Sequence, residues 1–383
     1  MKVEDIKARI VFTTSSKPTL EIELKTKKGR VKAPVPFGTS AGSFEVKNLE
    51  PKLALRALSQ FKDALKWQEW DSIREVDEFL KRVDGTEDFS KIGGNLALAI
   101  SIAFLKAFAL EEEVEVFEYL SKKPKVPLPL CNVVGTWEKK KTFQEFLLFP
   151  KHQKSFFDSI ERISQAYHEI PFELKQKDKS FNFGRNWESA WVCNLTNEEI
   201  LEILEEISKK YGLFIGLDVA ANNLYENEHY HYKNKKLNRM EQLNYLEELI
   251  KNFKIKYVED PFEENDFVSF STLQARLPNT LICGDDLLVT NLKRLRVAID
   301  LKAVRAVIIK PNQVGTLSDT IKFFEEAKKH ELKTVVSHRS SETDDNFLAH
   351  LAVGLGSDFA KIGISGERIV KINEFIRIEE KVG

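Results

Sequence analysis

Cysteine is scarce in this chain of 383 residues, which contains Cys131, Cys193 and Cys283 and no Cys-x-x-Cys pair. The odd number and wide spacing indicate free thiols in a reducing compartment. A cysteine-based zinc site is not expected, because such sites pair their cysteines closely in sequence. These features favour a cytoplasmic protein.

An excess of charge of either sign is also missing, since 58 Lys and Arg residues stand against 59 Asp and Glu residues. A balanced chain produces no overall field that attracts nucleic acid or an anionic membrane. No apolar run approaches the roughly 18 residues needed to span a bilayer. The segment from Met1 to Ile6 carries acids where a secretory signal would be apolar. We therefore expect a cytoplasmic globular protein with no nucleic-acid or membrane partner.

The first third of the chain combines strand and helix patterns. Residues 8–36 alternate between apolar and polar positions around two turns, which predicts a three-stranded meander. Residues 51–120 are helical in pattern, and residues 96–110 are apolar enough to form a helix buried against the meander. Residues 122–129 contain three prolines and are predicted to link two domains. The predicted domains are residues 1–125 and residues 126–383.

In the second part of the chain, short apolar segments repeatedly end in a residue that can do chemistry. These residues are Asp218, Glu259, Asp285, Lys310, His338 and Lys361. The steps of 23 to 41 residues between them leave room for a strand, a helix and two loops each. Such a repeat predicts an α/β barrel with a parallel sheet. The carboxyl ends of its strands meet at one face, so we expect these side chains to converge.

Three carboxylates at one face form an all-oxygen ligand set, which suits Mg²⁺. The alternative is that each acid caps the following helix, an interpretation with less weight for three successive units. Lys310 would lie one unit further round, where a nearby metal and partial desolvation would lower its pKa to about 7–8 and make it a general base. Its alternative is a surface lysine, but the preceding Val-Ile-Ile segment directs it to the barrel mouth.

Residues 338–340, which are His, Arg and Ser, could hold a phosphate or carboxylate, with Arg339 as a bidentate clamp. For His338 alone, a structural role is the better interpretation. A divalent metal facing a lysine base suits removal of a proton alpha to a carboxylate, because the metal offsets the charge that develops on the oxygens.

Several segments resemble motifs of the enolase family across both predicted domains. Its metal-ligand segments resemble Gly216-Leu-Asp-Val-Ala-Ala221, Val258-Glu-Asp-Pro-Phe262 with Asp266-Phe267, and Gly284-Asp-Asp-Leu-Leu-Val-Thr-Asn291. The segment carrying its base resembles Ile309-Lys-Pro-Asn-Gln-Val-Gly-Thr316. Its C-terminal motifs resemble Val336-Ser-His-Arg-Ser-Ser-Glu-Thr343, Lys361-Ile-Gly363, Glu367-Arg368 and Arg377-Ile-Glu-Glu380. Its mobile loop resembles Val35-Pro-Phe-Gly-Thr-Ser-Ala-Gly42, and its active-site strand resembles Gln144-Glu145-Phe146.

The resemblance implies an enolase-type (β/α)8 barrel preceded by an α+β N-terminal capping domain, and a homodimer or larger homo-oligomer. It implies Mg²⁺ as cofactor and the reversible, glycolytic dehydration of a small phosphorylated carboxylate, 2-phosphoglycerate, to phosphoenolpyruvate. The implied metal ligands are Asp218, Glu259, Asp285 and, for a second ion, Ser40. The implied base is Lys310, with Glu145 placed at the leaving hydroxyl. The implied substrate-binding residues are Gln144, His338, Arg339, Ser340 and Lys361.

Departures from the family pattern lie in the N-terminal half. The family's Asp-Ser-Arg-Gly-Asn-Pro-Thr run is replaced by Thr13-Thr-Ser-Ser-Lys-Pro-Thr19, and its Ser-His-Ala-Gly-Asn loop by Gly135-Thr-Trp-Glu-Lys-Lys140. The Gly-Asp-Glu-Gly-Gly loop, which supplies the acid for the leaving hydroxyl, is replaced by Gly184-Arg-Asn-Trp-Glu-Ser189. Direct alignment puts Asn186 at the position of that glutamate, and Glu188 can substitute only if the loop is repositioned.

Three hypotheses therefore remain open. The first is a working enolase in which Glu145 or Glu188 replaces the missing acid. The second is a paralogue that abstracts an alpha proton from another, phosphorylated carboxylate. The third is a non-catalytic homologue with a binding or assembly role, against which the retained base and metal ligands count.

Overall fold

The predicted three-stranded antiparallel meander, together with helices, forms the first part of the protein. The structure is a computed structural model that describes residues 1–38, 44–137 and 141–382. The strands run in the order β1, β2, β3, and Leu20, Ile22 and Leu24 on one face of β2 are fully buried. The elements are β1 (Asp5–Phe12), β2 (Pro18–Lys25), β3 (Arg30–Pro34), α1 (Pro51–Trp67), α2 (Ile73–Asp84), α3 (Gly94–Glu111) and α4 (Val116–Leu120).

Helix α3 forms the centre of this region, because it is apolar on every side and packs on β2 and β3. The predicted buried helix is thus confirmed. By length and composition alone, α3 is also long and apolar enough to cross a membrane, so the expectation of no such run is wrong. However, 78 % of α3 is buried inside the protein, and the core helix of a globular domain passes the same test.

Eight strands close into a barrel that forms the second part of the protein. The barrel strands, in chain order, are β4 (Leu128–Gly135), β5 (Glu145–Pro150), β6 (Leu213–Asp218), β10 (Tyr257–Glu259), β11 (Leu281–Gly284), β12 (Ala306–Ile309), β13 (Lys333–Ser337) and β14 (Phe359–Gly363). The predicted barrel and capping domain are confirmed. The predicted linker is shorter than expected, since β4 already begins at Leu128.

The strands of the repeat, β6 and β10 to β14, form the predicted parallel sheet, whereas β5 runs antiparallel to both of its neighbours, β4 and β6. The other barrel pairs are parallel. Because β5 is reversed, its first residue, Glu145, lies at the same face as the last residues of the parallel strands, and it pairs directly with Asp218.

Helices surround the barrel, and they are α5 (Phe156–Lys177), α6 (Asn197–Tyr211), α7 (Arg239–Asn252), α8 (Phe267–Arg276), α9 (Leu292–Asp300), α10 (Leu317–Lys329), α11 (Phe347–Leu355) and α12 (Ile369–Val382). Thr196 and Glu199 form the predicted capping box of α6, and Gly212 ends that helix with φ 65°. The predicted hairpin after β6 consists of three short strands, β7 (Tyr225–Glu226), β8 (His229–His231) and β9 (Lys236–Leu237). These strands stand beside the barrel mouth, where Glu226 and His231 line the cavity.

Candidate active site

A cavity of about 520 Å³ opens at the face where the parallel strands end. The predicted site residues that line it are Gln144, Glu145, Glu188, Asp218, Asp285, Lys310, His338, Arg339, Ser340 and Lys361. Glu259 has no exposed surface and lies beneath this lining. Ser40 lies outside the described residues. The structure thus brings the described members of the predicted site together around one cavity.

Lys361 connects two of the predicted metal ligands. Its Nζ lies 2.7 Å from Asp218 Oδ2 and 2.9 Å from Glu259 Oε1, and the three side chains are almost wholly buried. Strand pairing explains the contact, because Asp218 and Glu259 are register partners at the ends of β6 and β10. The Lys361 ammonium therefore neutralises only part of the negative charge of the carboxylates around it.

The remaining repulsion shows in the pKa values of the acids. Burial and the nearby charge of Asp218 raise the pKa of Glu259 to about 8. Burial and the neighbouring Asp285 raise the pKa of Asp286 to about 7. A divalent cation would relieve this repulsion, and carboxylate oxygens are the ligands that Mg²⁺ prefers. The residues present therefore fit the predicted ion.

Asp260 and Asp286 are site residues that the sequence reasoning missed. Ligand atoms of Asp260, Asp285 and Asp286 lie within 4.8 Å of one another, a grouping that could also hold a metal. The Asp260 carboxylate already accepts hydrogen bonds from the backbone N–H groups of Asp285 (2.9 Å) and Asp286 (2.7 Å). It therefore fixes the loop that carries Asp285. The doubled acids at 259–260 and 285–286 were the available sequence signal.

The backbone beside the acids adopts an unfavourable conformation. Left-handed φ angles occur at Ala220 (43°), Asp260 (42°), Val289 (43°) and Thr290 (53°), none of which is glycine. Such residues persist only where the surrounding fold fixes them, and they cluster at functional sites. Thr290 is fixed in this way, since its Oγ1 donates to the Gln313 side chain (2.6 Å) and accepts from the Lys310 N–H (3.0 Å).

Lys310 contacts the Asp285 carboxylate directly. Burial alone lowers the pKa of Lys310, but the Asp285 charge outweighs that effect and holds the pKa above its ordinary value. The predicted lowering of the Lys310 pKa does not occur in this arrangement, because the negative charge of Asp285 lies beside the ammonium and stabilises its protonated form. A cation bound by Asp285 would compete with Lys310 for this carboxylate.

Glu145 and Glu188 are two buried carboxyls with opposite preferences for the proton. Burial and the charge of Glu188 raise the pKa of Glu145 well above its ordinary value. Burial would also raise the pKa of Glu188, but the charge of a protonated His338, then the charges of Arg368 and Lys361 and a hydrogen bond from Asn132 (3.1 Å), lower it below its ordinary value. Burial lowers the pKa of His338 to about 3 and leaves that ring neutral near pH 7, so Arg368 and Lys361 are the cations that act on Glu188 there. Glu145 is therefore protonated while Glu188 is ionised.

Asn186 and Glu188 both line the cavity from the loop before α6, but their side chains make different contacts. The Asn186 Oδ1 accepts hydrogen bonds from the N–H groups of Glu188 and Ala190, both at 3.0 Å. Asn186 thereby closes the turn from within, and the Glu188 carboxylate reaches to 3.7 Å from His338 Nε2. Sequence alignment alone could not decide this placement.

The basic side of the cavity consists of Arg339 with the residues that fix it. Glu45 Oε1 lies 3.3 Å from Arg339 Nη1, which joins the N-terminal region to the barrel mouth. Gly38 approaches so closely that a Cβ there would lie 1.8 Å from Arg339 Nη2. Arg368 is fully buried and donates to the carbonyl oxygens of Arg339 (2.9 Å) and Ser340 (2.8 Å). Sequence reasoning assigned no role to Glu45 or Arg368.

Comparisons with known proteins agree with this architecture. The family model described as the enolase N-terminal domain matches residues 3–120, and that of the enolase C-terminal TIM barrel domain matches residues 123–383. A protein named enolase from Methanosphaera stadtmanae is 37 % identical over 402 residues, covering 99 % of this chain and 97 % of the relative. The enolase of Archaeoglobus fulgidus is 37 % identical, with 99 % and 98 % covered. The enolase of Picrophilus torridus is 36 % identical, with 100 % and 99 % covered. The chain belongs to the enolase family.

Proposed function

We propose that this protein is a Mg²⁺-dependent hydro-lyase that interconverts 2-phosphoglycerate and phosphoenolpyruvate. The observation that carries the proposal is the convergence of a lysine, a buried acid cluster and two carboxyls of opposite protonation on one cavity. The enolase names of its relatives support the same reaction.

Lys310 is the proposed base for the proton alpha to the substrate carboxylate. Its amine must first lose a proton and its contact with Asp285. Both changes become easier once the Asp285 carboxylate binds another cation, because the negative charge that raises the Lys310 pKa is then offset. The chemistry that Mg²⁺ supplies when held by Asp218, Glu259 and Asp285 is neutralisation of the charge developing on the substrate carboxylate. Lys361 is proposed to contact that carboxylate as well.

Glu145 and Glu188 are proposed to act on the hydroxyl that leaves. The electron pair of the broken C–H bond forms the C=C bond, and the C–O bond to the hydroxyl breaks. Glu145 gives its proton to that oxygen, so water leaves, while ionised Glu188 accepts a hydrogen bond from the hydroxyl and orients it. Glu145 Oε2 makes no hydrogen bond among the described residues and lies 3.4 Å from Lys361 Nζ, the group proposed to contact the substrate carboxylate. We propose that Arg339 and Ser340 bind the phosphate, with His338 and Gln144 beside them.

Two assays on the purified protein with Mg²⁺ test the proposal. The first follows phosphoenolpyruvate formation from 2-phosphoglycerate, and the second follows exchange of the alpha proton with solvent deuterium. Lys310→Ala should abolish both activities, while Glu145→Gln should retain exchange and lose dehydration. The matched control is Lys329→Ala, because Lys329 is exposed at the end of α10. Absence of both activities in the wild-type protein would overturn the proposal, and exchange without dehydration would overturn its second half, because it would indicate a protein with a working base but no general acid.

A further inference from the structure

Two tryptophans give the otherwise polar and charged cavity an apolar wall. Trp137 and Trp187 are the largest apolar side chains among the described residues that line it. Their rings meet edge to face, with centroids 5.5 Å apart and planes at 85°. They remain 39 % and 48 % exposed, whereas Trp70 and Trp191 are packed into the protein. Half-exposed indoles at a cavity mouth contribute little to the core, so a role toward a ligand is the more direct explanation.

The two indoles belong to separate loops that the structure joins at this point. Trp137 lies two residues beyond the end of β4, and Trp187 lies in the loop before α6. Asn186 Nδ2 donates to the Thr136 carbonyl oxygen (3.4 Å), and the Trp187 carbonyl oxygen accepts from Arg368 Nη2 (3.4 Å). Hydrogen bonds thus fix the backbone beside each ring, so the two indoles keep a defined position at the cavity.

The wall stands on the side of the cavity where the hydroxyl is proposed to leave. Trp187 directly precedes Glu188, whose carboxylate is held by Asn132 inside the cavity. Gly135, two residues before Trp137, is the register partner of Glu145, so both loops that carry the indoles adjoin the two carboxyls proposed to act on the hydroxyl. In the proposed function the carbon that carries the hydroxyl is the part of the substrate closest to those carboxyls, and hence to the wall.

We propose that Trp137 and Trp187 form a specificity-determining wall that limits the size of the substituent on the carbon losing hydroxide. The inference rests on the proposed function and names the part of the substrate that the two indoles contact. A –CH₂OH group fits beneath the indoles, while a methyl group added to that carbon meets them. One methyl group in an apolar site changes kcat/KM by roughly 10- to 200-fold, and an effect of that order is expected here.

The test compares 2-phosphoglycerate with its analogue that carries a methyl group on the hydroxyl-bearing carbon. The ratio of the two kcat/KM values is measured for the wild-type protein, Trp137→Ala and Trp187→Ala. We expect both Ala variants to shift the ratio toward the methylated substrate by about 10-fold or more, and Trp187→Phe to shift it less. The matched control is Trp67→Ala, because Trp67 is 78 % exposed at the end of α1 and does not line the cavity. An unchanged ratio in both Ala variants would overturn the inference.

A binding measurement separates failure of this inference from failure of the proposed function. Phosphoenolpyruvate and its methylated analogue are titrated while the intrinsic tryptophan fluorescence is followed. If the wild-type protein turns over neither substrate, the proposed function fails, but tighter relative binding of the methylated ligand by Trp187→Ala still supports the wall. The inference is contradicted if the ligand still quenches the fluorescence of the Trp137→Phe, Trp187→Phe double variant and the relative binding of the two ligands is unchanged in Trp187→Ala.

Discussion

Asn186 and Glu188 occupy one loop, and the contacts of each side chain assign it a different task. Asn186 directs its oxygen to two backbone N–H groups of its own turn, so it shapes the loop. Glu188 directs its carboxylate to Asn132 and His338, so it belongs to the cavity. Substitutions at the two positions should therefore differ in what they impair.

Glu188→Gln should lower the rate of dehydration by roughly 10²-fold, because it removes the charged acceptor of the hydrogen bond from the leaving hydroxyl, and a hydrogen bond to a charged group contributes about 1.5–3 kcal/mol. Asn186→Ala should cost less, about 10-fold, because it loosens a loop turn without removing the carboxylate. Asn186→Asp retains an acceptor for the two N–H groups and should lose less than Asn186→Ala. Steady-state kinetics on the three variants would check this order, and a larger loss for Asn186→Ala than for Glu188→Gln would contradict it.

Asp77 should make stability depend on pH. Asp77 is wholly buried in α2 and accepts a hydrogen bond from the Ser318 N–H (2.8 Å), and burial raises its pKa from 3.8 to about 6. A raised pKa means that the folded protein prefers the protonated form. The carboxylate therefore destabilises the fold above pH 6, by up to about 3 kcal/mol, and this penalty disappears as pH falls toward 3.8.

Asp77→Asn should remove that penalty. The free energy of unfolding of the variant relative to the wild-type protein should rise between about pH 4 and pH 6 and stay constant above. Urea unfolding from pH 4 to pH 8 measures this difference. Parallel curves for the two proteins would show that Asp77 carries no such penalty.

At the scale of single elements, the reversed strand β5 decides the composition of the site. Because β5 starts at the mouth, its first residue, Glu145, joins the acids at the ends of the parallel strands. The apolar run of residues 146–149 predicted a strand but carried no information on direction, since a buried strand has the same pattern either way. The position of Glu145 came from family resemblance, and the physical reason for it only from the structure.

Helix α11 packs against α4 at Gly354, which joins the barrel to the N-terminal region. A Cβ at Gly354 would lie 2.7 Å from Leu120 Cβ and 3.1 Å from the Phe117 carbonyl oxygen. Alanine favours a helix by about 1 kcal/mol over glycine, but forcing the helices apart costs about 1–3 kcal/mol. Gly354→Ala should therefore destabilise the protein, by up to about 2 kcal/mol as the net of these terms.

Urea unfolding of Gly354→Ala measures the effect directly. A variant as stable as the wild-type protein, or more stable, would show that α4 and α11 adjust to the added methyl group at little cost. Leu120→Gly removes both Leu120 atoms that the new methyl group meets, Cβ at 2.7 Å and Cδ1 at 2.8 Å, so it should destabilise the Gly354→Ala protein less than it destabilises the wild-type protein.

On the scale of the whole molecule, the buried acids should make stability respond to metal. Mg²⁺ that binds the folded protein and not the unfolded chain should add about 2.7 kcal/mol at one hundred times its Kd. Thermal unfolding in excess chelator and in excess Mg²⁺ measures this shift. Asp285→Asn should reduce the Mg²⁺-dependent shift, and Asp300→Asn, at the exposed end of α9, should leave it unchanged. Equal shifts in both variants would place the ion elsewhere.

The barrel, the capping region and the acids at the strand ends could be predicted because they follow from local periodicity. Asp218, Glu259 and Asp285 each end a short apolar segment, and strand ends meet by topology alone. Asp260, Glu45 and Arg368 could not be predicted in this way, because their roles depend on contacts between distant segments. The homo-oligomer and the cytoplasmic location remain predictions, which sedimentation and cell fractionation would test.

The left-handed backbone at Ala220, Asp260, Val289 and Thr290 has a consequence for how this protein could evolve. That side of the cavity is fixed by the fold, so a change in any of these loops affects the acids and the base together. Trp137 and Trp187 instead lie in loops outside these segments and remain half exposed, so they can vary without disturbing Asp218, Glu259 and Asp285. A library randomised at these two positions should therefore yield variants that accept new substrates and still abstract the alpha proton.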